Sequence, residues 1–264
     1  MPYAFVTTSV LDLWDRAQLN SERVNQALFG EVVEVLGTGR AFTKISKSDG
    51  YTGWVYSNFL RSVTRGKAVT YNRRLNHIVT HRAARLLAST GRPVDPYLVY
   101  YGTRVWVSSQ PSDLSRIVLP DGSVGYVKSG VIRPMNKARS SLVTGSMLVN
   151  EARRFLGTPY LWGGLTPAGF DCSGLVQAVC ARYGLEIPRD TREQIQAGFN
   201  VNRQEVKTGD LLFFKRHVGF ALSRDRIVHS SAARGGVRVE SLTPGTRAYR
   251  EDLDKSYVTA RRIV

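Results

Sequence analysis

Phe170–Gly174, with the sequence Phe-Asp-Cys-Ser-Gly, places one of the chain's two cysteines where a helix is expected to begin. Apolar side chains follow at helical spacing, and Gly184 is a typical C-terminal stop. A thiol at a helix N-terminus lies at the positive end of the helix dipole, which favours the thiolate, the form that attacks carbonyl carbons. The stretch therefore predicts a nucleophilic Cys172.

Two of the four histidines, His217 and His229, lie downstream in apolar runs typical of strands. A turn at residues 224–226 would make these runs adjacent antiparallel strands and bring the two rings together. One cysteine, a base and a residue that orients the base are sufficient for thiol acyl transfer. A Cys/His/His zinc site is the alternative, but neither histidine has a second one close to it in the sequence.

The second cysteine, Cys180, is eight residues beyond Cys172, which corresponds to roughly 12 Å along a helix and is too far for a disulfide. Its neighbours are small and apolar, so we expect a buried side chain and no structural disulfide.

The chain of 264 residues has a formal net charge of +16, which favours polyanions such as nucleic acid, anionic wall polymers or acidic peptides. Charge is densest over residues 61–92, with eight basic residues and no acidic one, although a solvated basic surface is an equally good interpretation. The sequence contains no nucleic-acid motif and no apolar run of about 20 residues that could span a bilayer. Its first ten residues lack the pattern of a signal peptide, so we expect a cytoplasmic protein, or a secreted one if a signal has been removed.

The first half contains an internal repeat with an offset of 72 residues. Phe29–Val35 matches Tyr101–Val107, and Asp49–Val55 matches Asp121–Val127. Alternating apolar residues indicate half-buried strands, and each Asp-Gly indicates a tight turn. Each copy is therefore predicted to be a small β-barrel, with Trp54 and Tyr126 as core or rim aromatics.

After a linker predicted at 133–141, apolar residues at helical spacing precede four predicted strands at 211–214, 217–222, 227–230 and 237–242. Residues 190–193, Asp-Thr-Arg-Glu, resemble a capping box at the start of a further short helix. Helices followed by an antiparallel sheet predict an α+β domain.

Each repeat copy resembles a bacterial SH3 domain, and the second half resembles the NlpC family of peptidoglycan cysteine peptidases, which have a compact papain-like fold. Six motifs in the family's order carry the second resemblance: Gly157–Gly164, Phe170–Val176, Pro188–Thr191, Gly209–Phe214, His217–Phe220 and Val228–Ser231. The expected fold is multi-domain, with two all-β SH3-like barrels at 1–64 and 65–136 followed by an α+β papain-like cysteine peptidase domain at 137–264.

By this resemblance Cys172 is the nucleophile, His217 its general base and acid, and His229 the residue that orients the ring of His217. The resemblance also implies that Tyr160 polarises the scissile carbonyl. It assigns substrate-binding positions to the two neighbours of the cysteine, to the threonine of the Pro188–Thr191 motif and to the first barrel: Asp171, Ser173, Thr191, Glu31 and Tyr51. The alternatives are packing for Tyr160 and Tyr51, helix capping for Asp171 and Thr191, and a solvated strand position for Glu31.

Two SH3-like units before such a domain resemble γ-D-glutamyl-diamino acid endopeptidases of murein recycling, in which the first barrel restricts the cleft to peptides with a free N-terminal L-alanine. The expected activity is hydrolysis of the γ-D-glutamyl-diamino acid bond of L-Ala-γ-D-Glu-diamino acid peptides, with no metal or organic cofactor. The alternatives are a secreted autolysin held to anionic wall polymers, a wall-binding protein without activity, and an acyltransferase or amidase on the same fold.

Overall fold

Two separately packed units make up the protein in the computed structural model, which describes residues 2–110, 113–135 and 142–264. The first unit is Met1–Met135 and the second is Asn136–Val264. The predicted linker at 133–141 coincides with this division, but its residues 136–141 lie outside the described part of the chain.

The first half of unit one is a seven-stranded antiparallel sheet with strand order β3-β2-β6-β5-β4-β1-β7. Alternation of apolar and polar residues builds it, since side chains such as Leu13, Val33 and Val55 point inward to a common core. The strands are β1 Tyr3–Val6, β2 Val10–Trp14, β3 Arg23–Leu28, β4 Val32–Thr38, β5 Phe42–Ser46, β6 Thr52–Tyr56 and β7 Leu60–Val63.

The second half of unit one is another seven-stranded sheet, with the order β10-β9-β13-β12-β11-β8-β14. Strand for strand this order repeats that of the first sheet, in agreement with the 72-residue sequence repeat. The strands are β8 His77–Val79, β9 Ala83–Leu87, β10 Pro93–Tyr100, β11 Arg104–Ser109, β12 Leu114–Val118, β13 Val124–Lys128 and β14 Ile132–Pro134.

The two Asp-Gly turns have the predicted geometry. Gly50 and Gly122 have φ values of +82° and +89°, a left-handed conformation that glycine adopts without strain. The preceding carboxylates, Asp49 and Asp121, accept hydrogen bonds from the backbone N–H two residues on, at 3.0 and 2.9 Å. The tight turns are therefore confirmed in both copies.

The basic stretch contains a helix that the sequence analysis did not predict, α1 Arg65–Arg74. Thr64 caps it, and the helix buries Ala68 and Tyr71. The ring of Tyr71 packs edge-on against Phe5 at 5.1 Å, while the basic residues of α1 are exposed. With only two buried positions in ten residues, the helix gives almost no amphipathic signal.

Unit two is a six-stranded antiparallel sheet with helices packed against β19 and β20. Its strand order is β17-β22-β18-β19-β20-β21, so the predicted arrangement of helices followed by an antiparallel sheet is confirmed. The helices are α2 Gly145–Arg153, α3 Cys172–Arg182, α4 Thr191–Gln194 and α5 Glu251–Lys255. The strands are β15 Leu165–Thr166, β16 Gly169–Phe170, β17 Phe199–Val201, β18 Leu211–Phe214, β19 His217–Ser223, β20 Arg226–Ser231, β21 Gly236–Ser241 and β22 Tyr257–Arg262.

Helix α3 is the central buried element of unit two. Its N-terminus packs against a backbone turn, since a Cβ at Gly174 would lie 2.1 Å from the carbonyl oxygen of Gly164. Cys180 is fully buried in this helix and burial raises its pKa to about 12. Both cysteines are free, as expected from their spacing.

Candidate active site

Cys172 begins α3, next to the first residues of β19. Its sulfur lies 3.9 Å from the hydroxyl oxygen of Thr191 and accepts a hydrogen bond from the backbone N–H of Val218. Because α3 packs on β19, the start of the helix meets the start of the strand. The residue is buried, with 7% of its surface accessible.

The charges around Cys172 oppose thiolate formation, in contrast to what the helix dipole alone predicts. Burial has the largest effect and raises the pKa of the thiol, and the negative charge of Asp171 raises it further. Hydrogen bonds from Val218, Thr191 and Ser173 lower the pKa without offsetting the other two effects. The thiol therefore needs a neighbouring base to give up its proton.

His217 precedes Val218, whose N–H binds the sulfur, and the predicted pairing of the two histidine rings is confirmed. His217 begins β19, and His229 lies on the adjacent antiparallel β20. Nε2 of His217 is 2.5 Å from Nδ1 of His229, and the two ring planes are nearly perpendicular at 83°. This contact engages Nε2, which leaves Nδ1 of His217 as the ring nitrogen available to a thiol.

The surroundings of His217 keep its ring neutral. Burial lowers its pKa to about 3, and the electrostatic effects of His229 and Arg250 act in the same direction while Asp252 opposes them. A neutral imidazole has the lone pair that a general base requires.

The structure adds two charged residues that the sequence analysis missed, Glu240 and Arg250. Oε2 of Glu240 is 2.6 Å from Nε2 of His229 and accepts a hydrogen bond from Nη1 of Arg250 at 2.6 Å. Glu240 is the carboxylate in an apolar run predicted to be a strand, which is the signal that could have identified it. Arg238 is the register partner of His229 on β21, so Glu240 lies diagonally opposite His229 on the same face.

Tyr160 is half-buried near the thiol. Burial raises the pKa of its hydroxyl, the electrostatic effects of Cys172 and Asp171 raise it further, and Arg189 lowers it. The hydroxyl is therefore neutral near pH 7 and is a hydrogen-bond donor, the property that the proposed role beside a carbonyl requires.

Asp171 is the N-cap of α3, and hydrogen-bond donors already surround its carboxylate. Oδ1 accepts from the Gly174 N–H at 2.6 Å, from Arg189 at 3.1 Å and from the Ser173 hydroxyl at 3.3 Å. Oδ2 accepts from Arg189 at 2.6 Å and from the Gly163 N–H at 2.9 Å. These contacts confirm Asp171 as the N-cap of α3, and its part in substrate binding stays a prediction from the resemblance.

Ser173 is buried in the same network, where its hydroxyl accepts a hydrogen bond from Arg189 at 2.8 Å. Arg189 is a third residue that the sequence analysis missed, although it belongs to the quoted Pro188–Thr191 motif. It is buried and ties α3 to the segment before α4.

Thr191 begins α4, and its hydroxyl contacts the sulfur of Cys172. Asp190 is the N-cap residue by position, but its side chain makes no capping hydrogen bond to the helix, so the expected capping box is wrong. The Asp190 carboxyl is half-buried, and burial raises its pKa.

Glu31 and Tyr51 lie in unit one, where both have local partners. Glu31 accepts a hydrogen bond from the Leu28 N–H at 3.1 Å and pairs with the buried Lys47 at 3.4 Å. The Tyr51 hydroxyl donates to the Val24 carbonyl oxygen at 3.2 Å, and its ring packs against the barrel core. Their contribution to substrate binding stays a prediction from the resemblance.

In the described residues, no group of three His, Cys, Asp or Glu side chains is arranged to hold a metal ion. Across the same ranges, no helix has the length and hydropathy needed to cross a bilayer.

Comparison with known proteins gives matches for both halves of the chain. The model of the NlpC/P60 family matches residues 157–256, and the model of the bacterial SH3 domain matches residues 9–61. A "Gamma-D-glutamyl-L-lysine dipeptidyl-peptidase" of Bacillus cereus is 28% identical over 90% of this chain and 74% of the relative. A "Probable endopeptidase NlpC homolog" of Haemophilus influenzae is 33% identical over 52% of this chain and 73% of the relative.

A solved structure has the same fold over nearly the whole chain. The crystal structure of an NlpC/P60 family protein from Bacillus cereus superimposes with a TM-score of 0.84 and covers 99% of both chains at 23% identity.

Proposed function

The chain belongs to the NlpC/P60 family, and from that premise we propose that it is a cysteine peptidase which hydrolyses the amide between γ-D-glutamate and the following diamino acid in peptidoglycan-derived peptides. Two observations carry this proposal: the Cys172 thiol accepts a hydrogen bond from Val218, the residue after His217, and His217 is paired with His229. The relative from Bacillus cereus, named for γ-D-glutamyl-L-lysine peptides, supports the bond that we assign.

The first half of the reaction forms an acyl-enzyme. The Cys172 sulfur attacks the γ-carbonyl carbon of the D-glutamyl residue while its proton passes to Nδ1 of His217. The carbonyl oxygen becomes an oxyanion that accepts hydrogen bonds from the Tyr160 hydroxyl and the Cys172 N–H. When the C–N bond breaks, His217 returns its proton to the leaving amine of the diamino acid.

The second half releases the product. Water gives a proton to Nδ1 of His217 and attacks the thioester carbon, and the same donors bind the second oxyanion. As the C–S bond breaks, the proton on His217 returns to sulfur, so the thiol and the neutral imidazole are restored.

For the substrate's amino terminus, we propose Asp190 as a further binding carboxylate beside Asp171, which the resemblance assigns. Asp171 accepts five hydrogen bonds, and Asp190 adjoins Thr191, whose hydroxyl contacts the nucleophile. Burial raises the pKa of Asp190, and a bound ammonium group would offset this cost. Glu31 and Tyr51 stay candidates for the same end of the peptide through the resemblance to murein-recycling enzymes.

A wall-bound autolysin is the second candidate, and the exposed basic face of α1 favours it because such a surface attracts anionic polymers. Intact sacculi and free Ala-γ-Glu-diaminopimelate should be offered to the same preparation. Cleavage of the free tripeptide supports the preferred activity, and cleavage of sacculi alone contradicts it.

The central test is mass spectrometry of products from Ala-γ-Glu-diaminopimelate with its amino group free or acetylated. We expect cleavage only of the free form, yielding Ala-γ-Glu and diaminopimelate, and none with Cys172→Ala. An active Cys172→Ala variant would refute the mechanism. Equal cleavage of the acetylated peptide would refute recognition of the amino terminus.

Asp190→Asn, with the neighbouring Glu193→Gln as its charge-matched control, tests the carboxylate that we assign to the amine. We expect Asp190→Asn to raise KM about 10-fold or more for the free peptide, since a hydrogen bond between charged groups contributes about 1.5–3 kcal/mol. An unchanged KM would exclude Asp190 from amine binding.

A further inference from the structure

Glu240 is a buried carboxylate behind the two histidines, and the mechanism above does not use it. It is 5% exposed, and it contacts His229 through one oxygen. Arg250, which is 7% exposed, donates to the same oxygen, and Arg234 donates to the other oxygen at 3.2 Å. Burying an ionised carboxylate costs desolvation free energy, and hydrogen-bond donors and positive charges next to it offset that cost.

The contacts fix which atoms of this chain carry protons. Burial works to raise the pKa of Glu240, but the hydrogen bonds from His229 and Arg250 and the positive charge of Arg250 act against it, and the pKa lies below its ordinary value. An ionised carboxylate only accepts hydrogen bonds, so Nε2 of His229 must carry the proton in their 2.6 Å contact. A neutral His229 then presents the lone pair of Nδ1 to His217.

The same reasoning extends to His217. The 2.5 Å contact between the rings holds one proton, and with a lone pair on Nδ1 of His229 that proton belongs to Nε2 of His217. Nδ1 of His217 is then unprotonated, which is the state that accepts the proton of Cys172. A doubly protonated His229 would reverse the contact and put the proton of His217 on Nδ1, where it blocks the reaction.

We propose that Glu240 is a positioning residue that sets the tautomers of His229 and His217 and stabilises the imidazolium formed during acyl transfer. This inference rests on the proposed roles of Cys172 and His217. The hydrogen bonds His217–His229 and His229–Glu240 connect the developing positive charge on His217 to the Glu240 carboxylate, and Arg250 holds this carboxylate in place beside His229. The other charged groups around the pair are Arg234 before β21 and Asp252, which pairs with Arg250 from α5.

Glu240→Gln removes the charge with little change in shape and allows an amide N–H to face Nε2 of His229. The proton of His229 would then move from Nε2 to Nδ1, and the proton of His217 would move from Nε2 to Nδ1. We expect kcat to fall about 10- to 100-fold with KM within about two-fold, a loss typical of outer-shell partners of a functional histidine. We also expect the acid limb of the pH–rate profile to move to lower pH, because loss of the carboxylate makes a protonated His217 still less stable.

Glu151→Gln is the matched control. Glu151 is also buried, at 6% exposure, and pairs with Arg154 on α2 through a 2.8 Å hydrogen bond. A general loss of stability from neutralising a buried glutamate would appear in both variants, but only Glu240→Gln should change kcat and the pH profile. Equal effects of the two substitutions on the pH profile would overturn the proposal.

A measurement without substrate separates this inference from the proposed function. In Cys172→Ala protein with ¹⁵N-labelled histidine, NMR reports the protonation of each ring nitrogen directly. We expect Nε2 of His229 protonated and Nδ1 unprotonated near pH 7, and a reversed or mixed pattern in the Glu240→Gln form. Protonated Nδ1 of His229 in the parent, or identical spectra in the two proteins, would refute the role of Glu240 even if the peptidase activity is confirmed. If the ¹⁵N spectra show the expected protonation pattern but the wild-type protein does not cleave the peptide, the role of Glu240 is supported and the proposed peptidase activity is refuted.

Discussion

Replacing Arg189 by methionine tests the buried ion pair beneath the nucleophile. The Arg189 side chain is 1% exposed and binds both oxygens of Asp171 at 2.6 and 3.1 Å. Removing one partner of a buried pair leaves the other charge without compensation and costs about 3–5 kcal/mol. Asp171 keeps the N–H groups of Gly163 and Gly174, so we expect a loss near the lower end, about 3 kcal/mol.

The chain offers a specific reporter for the unfolding of unit two. In a Cys172→Ala background, Cys180 is the one remaining thiol, and it is fully buried. The fraction of Cys180 that reacts with a thiol reagent across a urea series therefore reports opening of unit two without a contribution from unit one. With a urea dependence of about 2 kcal/mol per M, a loss of about 3 kcal/mol lowers the midpoint by about 1.5 M.

The surface residue Arg192 supplies the control. It is 80% exposed and has ion-pair distances of 3.6–3.8 Å, so Arg192→Met should cost less than about 1 kcal/mol. Asp171→Asn combined with Arg189→Met completes a double-mutant cycle, in which we expect the double variant to lose much less than the sum of the single losses. Additive losses, or a shift for Arg189→Met no larger than that for Arg192→Met, would show that the pair is not coupled as described.

Three further predictions use the same unit. Burial lowers the pKa of His217 from 6.5 to about 3. As the pH falls below 6.5, this histidine is therefore protonated in the unfolded chain but stays neutral in the folded chain. The free energy of unfolding should therefore decrease by up to about 1.4 kcal/mol per pH unit below 6.5, and His217→Gln should remove this slope between pH 6.5 and 5 in Cys180 urea midpoints. Gly219→Ala would place a Cβ 2.6 Å from that of His229, so we expect a loss of about 1–3 kcal/mol in the same assay and reduced kcat; wild-type values would contradict the close approach. Tyr160→Phe should lower kcat about 100-fold at similar KM in peptide cleavage, and an unchanged kcat would remove the hydroxyl from the reaction.

The sequence predicted the features that local patterns encode. The start of α3 at Cys172, the strand pair that carries His217 and His229, and the Asp-Gly turns follow from periodicity, capping and turn chemistry, and each is confirmed. These features depend on neighbours along the chain, so a single sequence contains their signal.

The parts that the sequence did not reveal depend on contacts between distant residues. Glu240 reaches His229 because β21 pairs with β20 in one register, and a shift by one residue would turn its side chain to the other face. Arg189 lies 18 residues beyond Asp171 and meets it through the packing of the segment before α4. Likewise the raised pKa of Cys172 comes from burial, which the helix-dipole argument does not include.

The charges around the reacting pair favour a neutral thiol and a neutral imidazole in the free protein. Burial raises the pKa of Cys172 and lowers that of His217 to about 3, while Asp171 adds to the first effect and Arg250 to the second. Moving the proton from sulfur to nitrogen therefore creates two ions that the site disfavours. Attack on a carbonyl removes the cost of the thiolate, because the negative charge passes to the substrate oxygen, where hydrogen-bond donors stabilise it. A buried, protonated thiol also resists oxidation, which proceeds through the thiolate, so the same electrostatics protect the nucleophile until a substrate is bound.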